Sequence, residues 1–165
     1  MRRLLLTLGC VGLLVLNATA LHAQAHFGGQ VSWGDNADLG IGARAIVALR
    51  SLVPGTPLEA HAAFDYFFPD EAPGVDLGFW EINANVAYLI PGVRAALTPY
   101  VGGGINIAHT SADFGVLSTS DTDAGLNLIA GAKFKLRGSP LTPFAELRIE
   151  LGGGDQFVLS AGIVF

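Results

Sequence analysis

Hydrophobic and polar residues alternate with a period of two along much of this chain. Between residues 126 and 136 one face is apolar throughout, whereas the other face carries Asn127, Lys133 and Lys135. Residues 145–151 repeat the pattern, with an apolar face and a polar face that carries Glu146, Arg148 and Glu150. A period of two predicts β-strands with one apolar and one polar side.

Turn-forming residues divide the chain after residue 25 into eight such segments. The predicted strands are Phe27–Gly34, Leu39–Arg50, Leu58–Phe68, Phe79–Ile90, Pro99–Thr110, Ala124–Leu136, Thr142–Leu151 and Gln156–Phe165. A transmembrane helix is excluded in this region, because no segment offers about 18 consecutive apolar residues. The pattern predicts one all-β domain over residues 26–165, with about eight antiparallel strands in up-and-down order.

The first 25 residues have the features of a secretory signal peptide. A basic start at Arg2 and Arg3 is followed by an apolar stretch over residues 4–16 and by a small-x-small site that ends at Ala25. A second site of this kind ends at Ala20 and is the alternative cleavage point. The apolar stretch is too short to anchor the chain in a membrane. We therefore expect residues 1–25 to be removed during export.

The distribution of charge favours a membrane barrel. The mean hydropathy of +0.49 and the charged fraction of 14% are unusually apolar for a small soluble domain. Acidic residues outside the lumen face cluster at or near the connections that follow odd-numbered strands: Asp35, Asp38, Asp70, Glu71, Asp76, Asp113, Asp121, Asp123 and Asp155. The remaining arginines, Arg50, Arg94 and Arg137, fall at the opposite end. This arrangement predicts a Gram-negative-type outer-membrane barrel whose lipid-facing surface carries no charges. Its outer loops are predicted to be acidic, and the longest of them is predicted over residues 111–123.

Aromatic residues fall at both ends of the predicted strands. With the N-terminus in the periplasm, one group projects outward near the outer membrane surface: Trp33, Tyr66, Phe68, Trp80 and Phe157. A second group projects outward near the inner surface: Phe27, Tyr88, Phe134 and Phe165. Two aromatic belts are typical of membrane barrels, since amphipathic rings favour the headgroup level.

The polar face predicts a charged lumen. Its network is expected to contain Arg44, Glu59, His61, Asp65, Glu81, Lys133, Lys135, Glu146, Arg148 and Glu150. The lumen of eight strands is only wide enough to be filled by side chains, so these groups are expected to neutralise one another. We expect Glu146 to face Lys133, Arg44 to lie beside Asp65 and Glu81, and Arg148 to lie between Glu146 and Glu150. The alternative for the same face is a narrow passive channel, as in porins.

Other function classes have weaker support. The segment His109-Thr110-Ser111 is similar to the His-x-Ser pair of outer-membrane lipid A deacylases, although a strand that ends in a Ser/Thr-rich loop explains it more simply. A soluble lipocalin-like carrier would need an apolar lumen. No spacing of His or Cys suggests a metal site. We expect no cofactor, and we expect no enzymatic activity.

Three segments carry a resemblance to a known family: Pro99-Tyr100-Val101-Gly102-Gly103-Gly104, Pro143-Phe144-Ala145-Glu146-Leu147-Arg148 and Gly162-Ile163-Val164-Phe165. They resemble the small outer-membrane barrels that include the OmpA transmembrane domain, OmpX and OmpW. The resemblance implies that Phe165 belongs to the C-terminal signal read by the barrel-assembly machinery. It implies no catalytic residue. For the chain as a whole we expect a structural or surface-interaction role, with outer-membrane lipids and lipopolysaccharide as partners and a monomeric state.

Nucleic acid is not expected as a partner. Removal of residues 1–25 would take away Arg2 and Arg3 but none of the 14 acidic residues, so the exported chain would carry a larger negative charge than the formal −5 of the whole sequence. A protein that binds the phosphate backbone needs the opposite balance.

Overall fold

The computed structural model describes residues 25–70, 75–92, 96–115, 117–152 and 155–165. Apart from Ala25, the predicted signal peptide with its alternative site at Ala20 lies outside these residues, as do Glu71 and Arg94. Among the described residues, no helix is long and apolar enough to span a membrane.

Eight antiparallel strands close into a barrel. They are β1 (Ala25–Gly34), β2 (Asp38–Ala48), β3 (Leu58–Phe68), β4 (Asp76–Leu89), β5 (Leu97–Asp113), β6 (Ser118–Phe134), β7 (Thr142–Gly152) and β8 (Phe157–Val164). Each strand pairs with its sequence neighbours, and β1 pairs with β8, from Gly28 opposite Val164 to Gly34 opposite Val158. The prediction of an all-β, up-and-down, eight-stranded barrel is confirmed. We call the end that holds the first residue of β1 the terminal end and the other the distal end.

The prediction that the longest loop covers residues 111–123 is wrong. Within residues 111–123, β5 continues to Asp113 and β6 begins at Ser118. The two strands pair through Asp113 opposite Ser118, and Gly115, with φ of 82°, allows the turn between them. The pattern missed this extension because both of its faces are rich in Ser, Thr and Asp, so no apolar period marks it as a strand.

The barrel is apolar outside and polar inside. On β6, Leu126 is 60% exposed, whereas the next residue, Asn127, is 1% exposed and points into the lumen. All the residues predicted for the two aromatic belts project outward and are exposed, except Trp80, which is half-buried. This polarity is the reverse of a lipocalin-like carrier and matches a barrel whose outer surface contacts lipid.

Buried, mostly apolar side chains form clusters inside the barrel towards both ends. At the distal end Ala37, Phe67 and Val158 form one cluster, against which Phe79 packs. Towards the terminal end two further buried clusters contain Ile46, Phe144 and Val164 in one, and Ala87, Tyr100 and Ile129 in the other. The two arginines of the lumen, Arg44 and Arg148, are 3% and 1% exposed and are therefore shielded from bulk water.

Three of these inward aromatic rings each lie opposite a glycine on the neighbouring strand. The pairs are Phe67 with Gly40, Tyr100 with Gly131 and Phe144 with Gly162. A Cβ on Gly131 would lie 2.5 Å from the hydroxyl of Tyr100, and one on Gly162 would lie 2.8 Å from the Phe144 ring. The missing side chains leave the space in which the rings lie against the barrel wall.

Gly131→Val is expected to crowd both the Tyr100 ring and the backbone carbonyl oxygen of Ala145, which would lie 2.6 Å from the new Cβ. We expect it to lower the free energy of unfolding by about 1–3 kcal/mol, the usual cost of overpacking. Denaturant unfolding in lipid vesicles measures this change. The matched control is Gly29→Val, also on a barrel strand, where the nearest atom to a new Cβ lies 3.8 Å away. Equal destabilisation by the two substitutions would show that the close packing around Gly131 is not what matters.

Candidate functional site

Arg148 lies at the centre of the distal half of the lumen. Its Nε donates to Glu150 Oε1 at 2.5 Å, and its Nη2 lies 2.9 Å from Glu81 Oε2 and 3.4 Å from Asp65 Oδ2. The side chain of Arg148 is 1% exposed and those of its three carboxylate partners are 0% exposed. One guanidinium thus joins three strands, β3, β4 and β7, inside the barrel.

Neutral donors complete the contacts of these carboxylates. Gln156 Nε2 donates to Glu81 Oε1 and, at 3.1 Å, to Glu150 Oε2. Gln30 Nε2 and Ser32 Oγ donate to Asp65 Oδ1 at 2.6 and 2.9 Å. Buried charges are tolerated only when paired and hydrogen-bonded, and this cluster uses both devices.

Arg44 forms a second cluster nearer the terminal end. Its Nη1 and Nη2 donate to the two carboxylate oxygens of Glu146 at 2.8 and 2.6 Å, which is the bidentate geometry that guanidinium groups favour. Arg44 Nε donates to Gln30 Oε1 at 2.7 Å, and Tyr100 donates its hydroxyl hydrogen to Glu146 Oε2 at 2.9 Å. The guanidinium also lies 4.4 Å from the centre of the Phe144 ring.

Gln30 connects the two arginine clusters. Its Oε1 accepts from Arg44 and its Nε2 donates to Asp65, which is a partner of Arg148. The amide therefore fixes the relative position of both groups and links β1 to the network.

Lys133, Glu59 and His61 form a third group at the terminal end. Lys133 Nζ lies 2.5 Å from Glu59 Oε2, and His61 Nε2 lies 3.1 Å from the same oxygen. The side chains of Lys133 and Glu59 are 14% and 12% exposed, so this pair is closer to solvent than the arginine clusters.

The structure does not bring Lys135 into this network. It lies one residue beyond the end of β6, and its side chain is exposed. Its backbone N–H donates to Ala96 O, just before the neighbouring strand β5. The prediction is wrong here because the alternation of the sequence continues past the point where the strand ends.

A layer of amides lies beside the Arg148 cluster. Asn127 Nδ2 donates to Asn83 Oδ1 at 2.8 Å and to Asn85 Oδ1 at 3.1 Å. Asn106 Nδ2 donates to Glu150 Oε2 at 3.3 Å. Amides and ion pairs thus form one hydrogen-bonded network inside the barrel.

The expected pairings inside the lumen are wrong, although the residues face inward as expected. Glu146 binds Arg44 and not Lys133, because the β6–β7 register places Gly131 opposite Glu146 and Phe144 opposite Lys133. Asp65 and Glu81 bind Arg148 and not Arg44. Of the two glutamates next to Arg148 on β7, only Glu150 is among its partners. Long side chains such as Arg44 and Arg148 reach across the lumen to strands that are not their neighbours.

Tyr100 and Gln156 are members of the site that the sequence pattern did not assign to the lumen. Tyr100 belongs to the family motif, and Gln156 is the first residue of the predicted last strand. The alternation of the sequence could have identified both residues. Gln156 is in phase with the inward-facing Val158 and Ser160, and Tyr100 is in phase with the inward-facing Gly102 and Gly104.

The His109 and Ser111 side chains share the outward face of β5 but have separate partners. His109 Nδ1 is 2.7 Å from Thr122 Oγ1, and its ring stacks on Trp80 with centres 5.0 Å apart. Ser111 Oγ donates to Gly78 O at 3.4 Å. A nucleophile needs its base within hydrogen-bond reach, and these contacts direct the two groups elsewhere.

Within the part of the chain that the structure describes, no group of three or more His, Cys, Asp or Glu side chains is arranged to hold a metal ion. The lumen carboxylates are instead directed towards Arg44, Arg148 and Lys133. These ion pairs crosslink strands that face one another inside the barrel.

No protein-family model matches the sequence, and neither does any curated protein. Solved structures do match. Ail, the attachment invasion locus protein of Yersinia pestis, is 14% identical over 86% of this chain and 93% of its own, with a TM-score of 0.57. The N-terminal β-barrel domain of Pseudomonas aeruginosa OprF is 14% identical over 86% and 97%, with a TM-score of 0.64. A major outer membrane protein of Thermus thermophilus is 14% identical over 86% and 98%, with a TM-score of 0.51. The likeness establishes a shared barrel fold, as the sequence resemblance predicted.

Proposed function

We propose that this protein is a small outer-membrane barrel with a closed lumen and a structural or surface-interaction role. The observation that carries the proposal is Arg148, a fully buried guanidinium bound by Asp65, Glu81 and Glu150 inside the barrel. A barrel filled in this way is a rigid scaffold that presents loops, and it leaves little room for a permeating solute.

The orientation follows from the distribution of charge. The distal end carries carboxylates, whereas the basic residues outside the lumen in the described ranges, Arg50, Lys135 and Arg137, lie at the terminal end. We propose export behind the signal peptide of residues 1–25, assembly through the C-terminal Phe165, and a monomeric barrel with its distal end outside the cell. Lipopolysaccharide and other outer-membrane lipids would then contact the aromatic belts.

The surface partner of this protein is expected to differ in charge from a ligand that Ail binds. Ail has been solved in complex with sucrose octasulfate, a heparin analogue. The distal end of the present chain is acidic. Several of its carboxylates accept backbone hydrogen bonds that stabilise the turns: Asp35 from Phe157, Asp113 from Gly115 and Asp155 from Gly152. An acidic rim repels polyanions, so we expect the loops to favour neutral or cationic surfaces.

Cysteine labelling of whole cells tests location and orientation together, because Cys10 is the only cysteine and would be lost with the signal peptide. Leu117→Cys, at the tip of the β5–β6 hairpin where Leu117 is 67% exposed, is expected to react with a membrane-impermeant maleimide on intact cells. The matched control, Leu52→Cys, is 74% exposed in the wild type but lies in the β2–β3 connection, so it should react only after the outer membrane is permeabilised. Labelling of Leu52→Cys on intact cells, or of Leu117→Cys only after permeabilisation, would reject the proposed orientation.

A further inference from the structure

A pocket lies at the terminal end of the barrel, between the β6–β7 connection and the residue that precedes β5. Its volume is about 560 Å³, within the range of about 300–1,000 Å³ that is typical of small-molecule sites. Residues 135–140 line it together with Ala96, and the backbone N–H of Lys135 donates to Ala96 O at 2.9 Å, which joins its two sides. Two basic residues, Lys135 and Arg137, thus border one concave surface.

Neither basic side chain of this pocket has an Asp or Glu partner among the described residues. Those acidic side chains lie at the distal end or inside the lumen, and the one at the terminal end of β3, Glu59, is bound to Lys133. The Ser139 hydroxyl accepts from the backbone N–H of Leu141 at 3.1 Å, which leaves its own hydrogen to donate to a ligand. Positive charge and a hydroxyl donor in one pocket favour a phosphate group as the ligand.

An apolar groove adjoins this pocket in the chain. Pro140 lines the pocket, and the next residue, Leu141, lines a groove of about 470 Å³ on the outer wall formed by β8 and β1. The groove exists because Gly29 and Ala161 carry little or no side chain, whereas Phe165 at its terminal edge is 65% exposed. Since this wall contacts lipid, an acyl chain is the molecule that the groove is placed to receive.

The pocket and the groove lie at the levels that the two parts of a phospholipid occupy. Phe134 and Phe165 belong to the aromatic belt of the terminal end, and such belts lie at the headgroup level. Lys135 directly follows Phe134, so the basic pocket begins at this level. The groove instead extends from Phe165 along β8 to Ala161, towards the middle of the wall. A headgroup in the pocket and a chain in the groove would therefore have the same order as in a leaflet.

We propose that this surface binds one anionic glycerophospholipid of the leaflet at the terminal end. The phosphodiester accepts hydrogen bonds from Lys135, Arg137 and Ser139, and one acyl chain lies in the groove over Gly29 and Ala161. An anionic headgroup is favoured over a zwitterionic one, because basic side chains at a membrane surface attract anionic lipids and a zwitterionic headgroup brings its own cation. The proposal rests on the membrane location proposed above and names one lipid partner, but it does not depend on which end of the barrel faces out of the cell.

Short-chain phosphatidylglycerol is the probe, titrated against the whole barrel in nonionic maltoside micelles while backbone amide resonances are followed by NMR. Saturable shifts are expected at Ala96, Gly138, Ser139 and Ala161 and not at the distal end. Phosphatidylcholine with the same chains, and glycerol phosphate without chains, should each bind about tenfold more weakly. Equal binding of the two lipids, or of glycerol phosphate and phosphatidylglycerol, would overturn the proposal. Failure of this titration would reject the lipid site alone, since the cysteine labelling and the conductance of the lumen are measured separately.

Matched substitutions test the pocket and the groove separately. Arg137→Gln is expected to reduce phosphatidylglycerol affinity about fivefold, whereas Arg50→Gln, exposed at the same end but outside the pocket, should leave it unchanged. Ala161→Phe fills the groove from an exposed position and should also reduce affinity about fivefold, whereas Ala84→Phe, exposed on β4, should not. Without added lipid, all four variants should unfold like the wild type, so that a loss of binding is not a loss of fold.

Three outcomes of these experiments would contradict the assigned site. An equal loss of affinity in Arg137→Gln and Arg50→Gln would mean that charge at this end acts diffusely. An equal effect of Ala161→Phe and Ala84→Phe would mean that no chain lies in the groove. A dimer in lipid-free micelles that Ala161→Phe abolishes would assign the groove to a second copy of the barrel.

Discussion

Arg148→Ala is expected to lower the free energy of unfolding by about 3–5 kcal/mol, the range found when one partner of a buried ion pair is removed. The substitution leaves Asp65, Glu81 and Glu150, all fully buried, without the guanidinium that binds all three. It also removes a side chain that binds carboxylates on β3, β4 and β7 at once. Urea unfolding in lipid vesicles, followed by tryptophan fluorescence, measures the loss.

The matched control for this substitution is Arg137→Ala. Arg137 is exposed in the β6–β7 connection, where an arginine contributes about 0–1 kcal/mol. A second variant separates charge from volume: Arg148→Met combined with Asp65→Asn, Glu81→Gln and Glu150→Gln should recover much of the loss, because no unpaired charge remains. If Arg148→Ala is no more destabilising than Arg137→Ala, the Arg148 cluster does not hold the barrel together.

Glu146→Ala is expected to have an effect of similar size, about 3–5 kcal/mol, because it leaves the Arg44 guanidinium buried without a counter-ion. Arg44 would keep only the Gln30 amide and the face of Phe144, and the Tyr100 hydroxyl would lose its acceptor. The same unfolding measurement applies.

The double variant Arg44→Met/Glu146→Leu is the control for Glu146→Ala, since it removes both charges while it keeps much of the volume. It should be clearly more stable than Glu146→Ala alone. A double variant that is less stable than the single one would mean that the ion pair itself, and not the avoidance of an unpaired charge, accounts for the effect.

Strand number, order and the inward or outward direction of most residues were predictable from the sequence, because each depends on a local period of two. Glu81, Asn83 and Asn85 alternate with Trp80, Ile82 and Ala84 in the sequence, and the structure buries the first set. Since a slip of one residue would move every lumen charge to the lipid side, this pattern also determines the register strongly.

The partners inside the lumen were not predictable. Glu146 binds Arg44 across 102 residues of chain, and Arg148 binds Asp65 across 83. These contacts depend on the shear of the closed barrel, which decides which residues of different strands lie at the same level along the barrel axis. The shear cannot be obtained from the alternation within single strands. The distal extension of β5 and β6 was missed for a different reason, because two polar faces give no hydrophobic period from which to recognise a strand.

The most direct test of a closed lumen is the steady conductance of purified wild-type protein in a planar bilayer, measured beside Arg148→Ala. The plug predicts no steady conductance for the wild type, because a network of buried ion pairs and amides lies inside the lumen. It also predicts that leak currents appear only in the variant, which is the less stable of the two. A wild type that conducts steadily, with Arg148→Ala altering its ion selectivity but not its stability, would contradict the plug and identify the protein as a narrow channel.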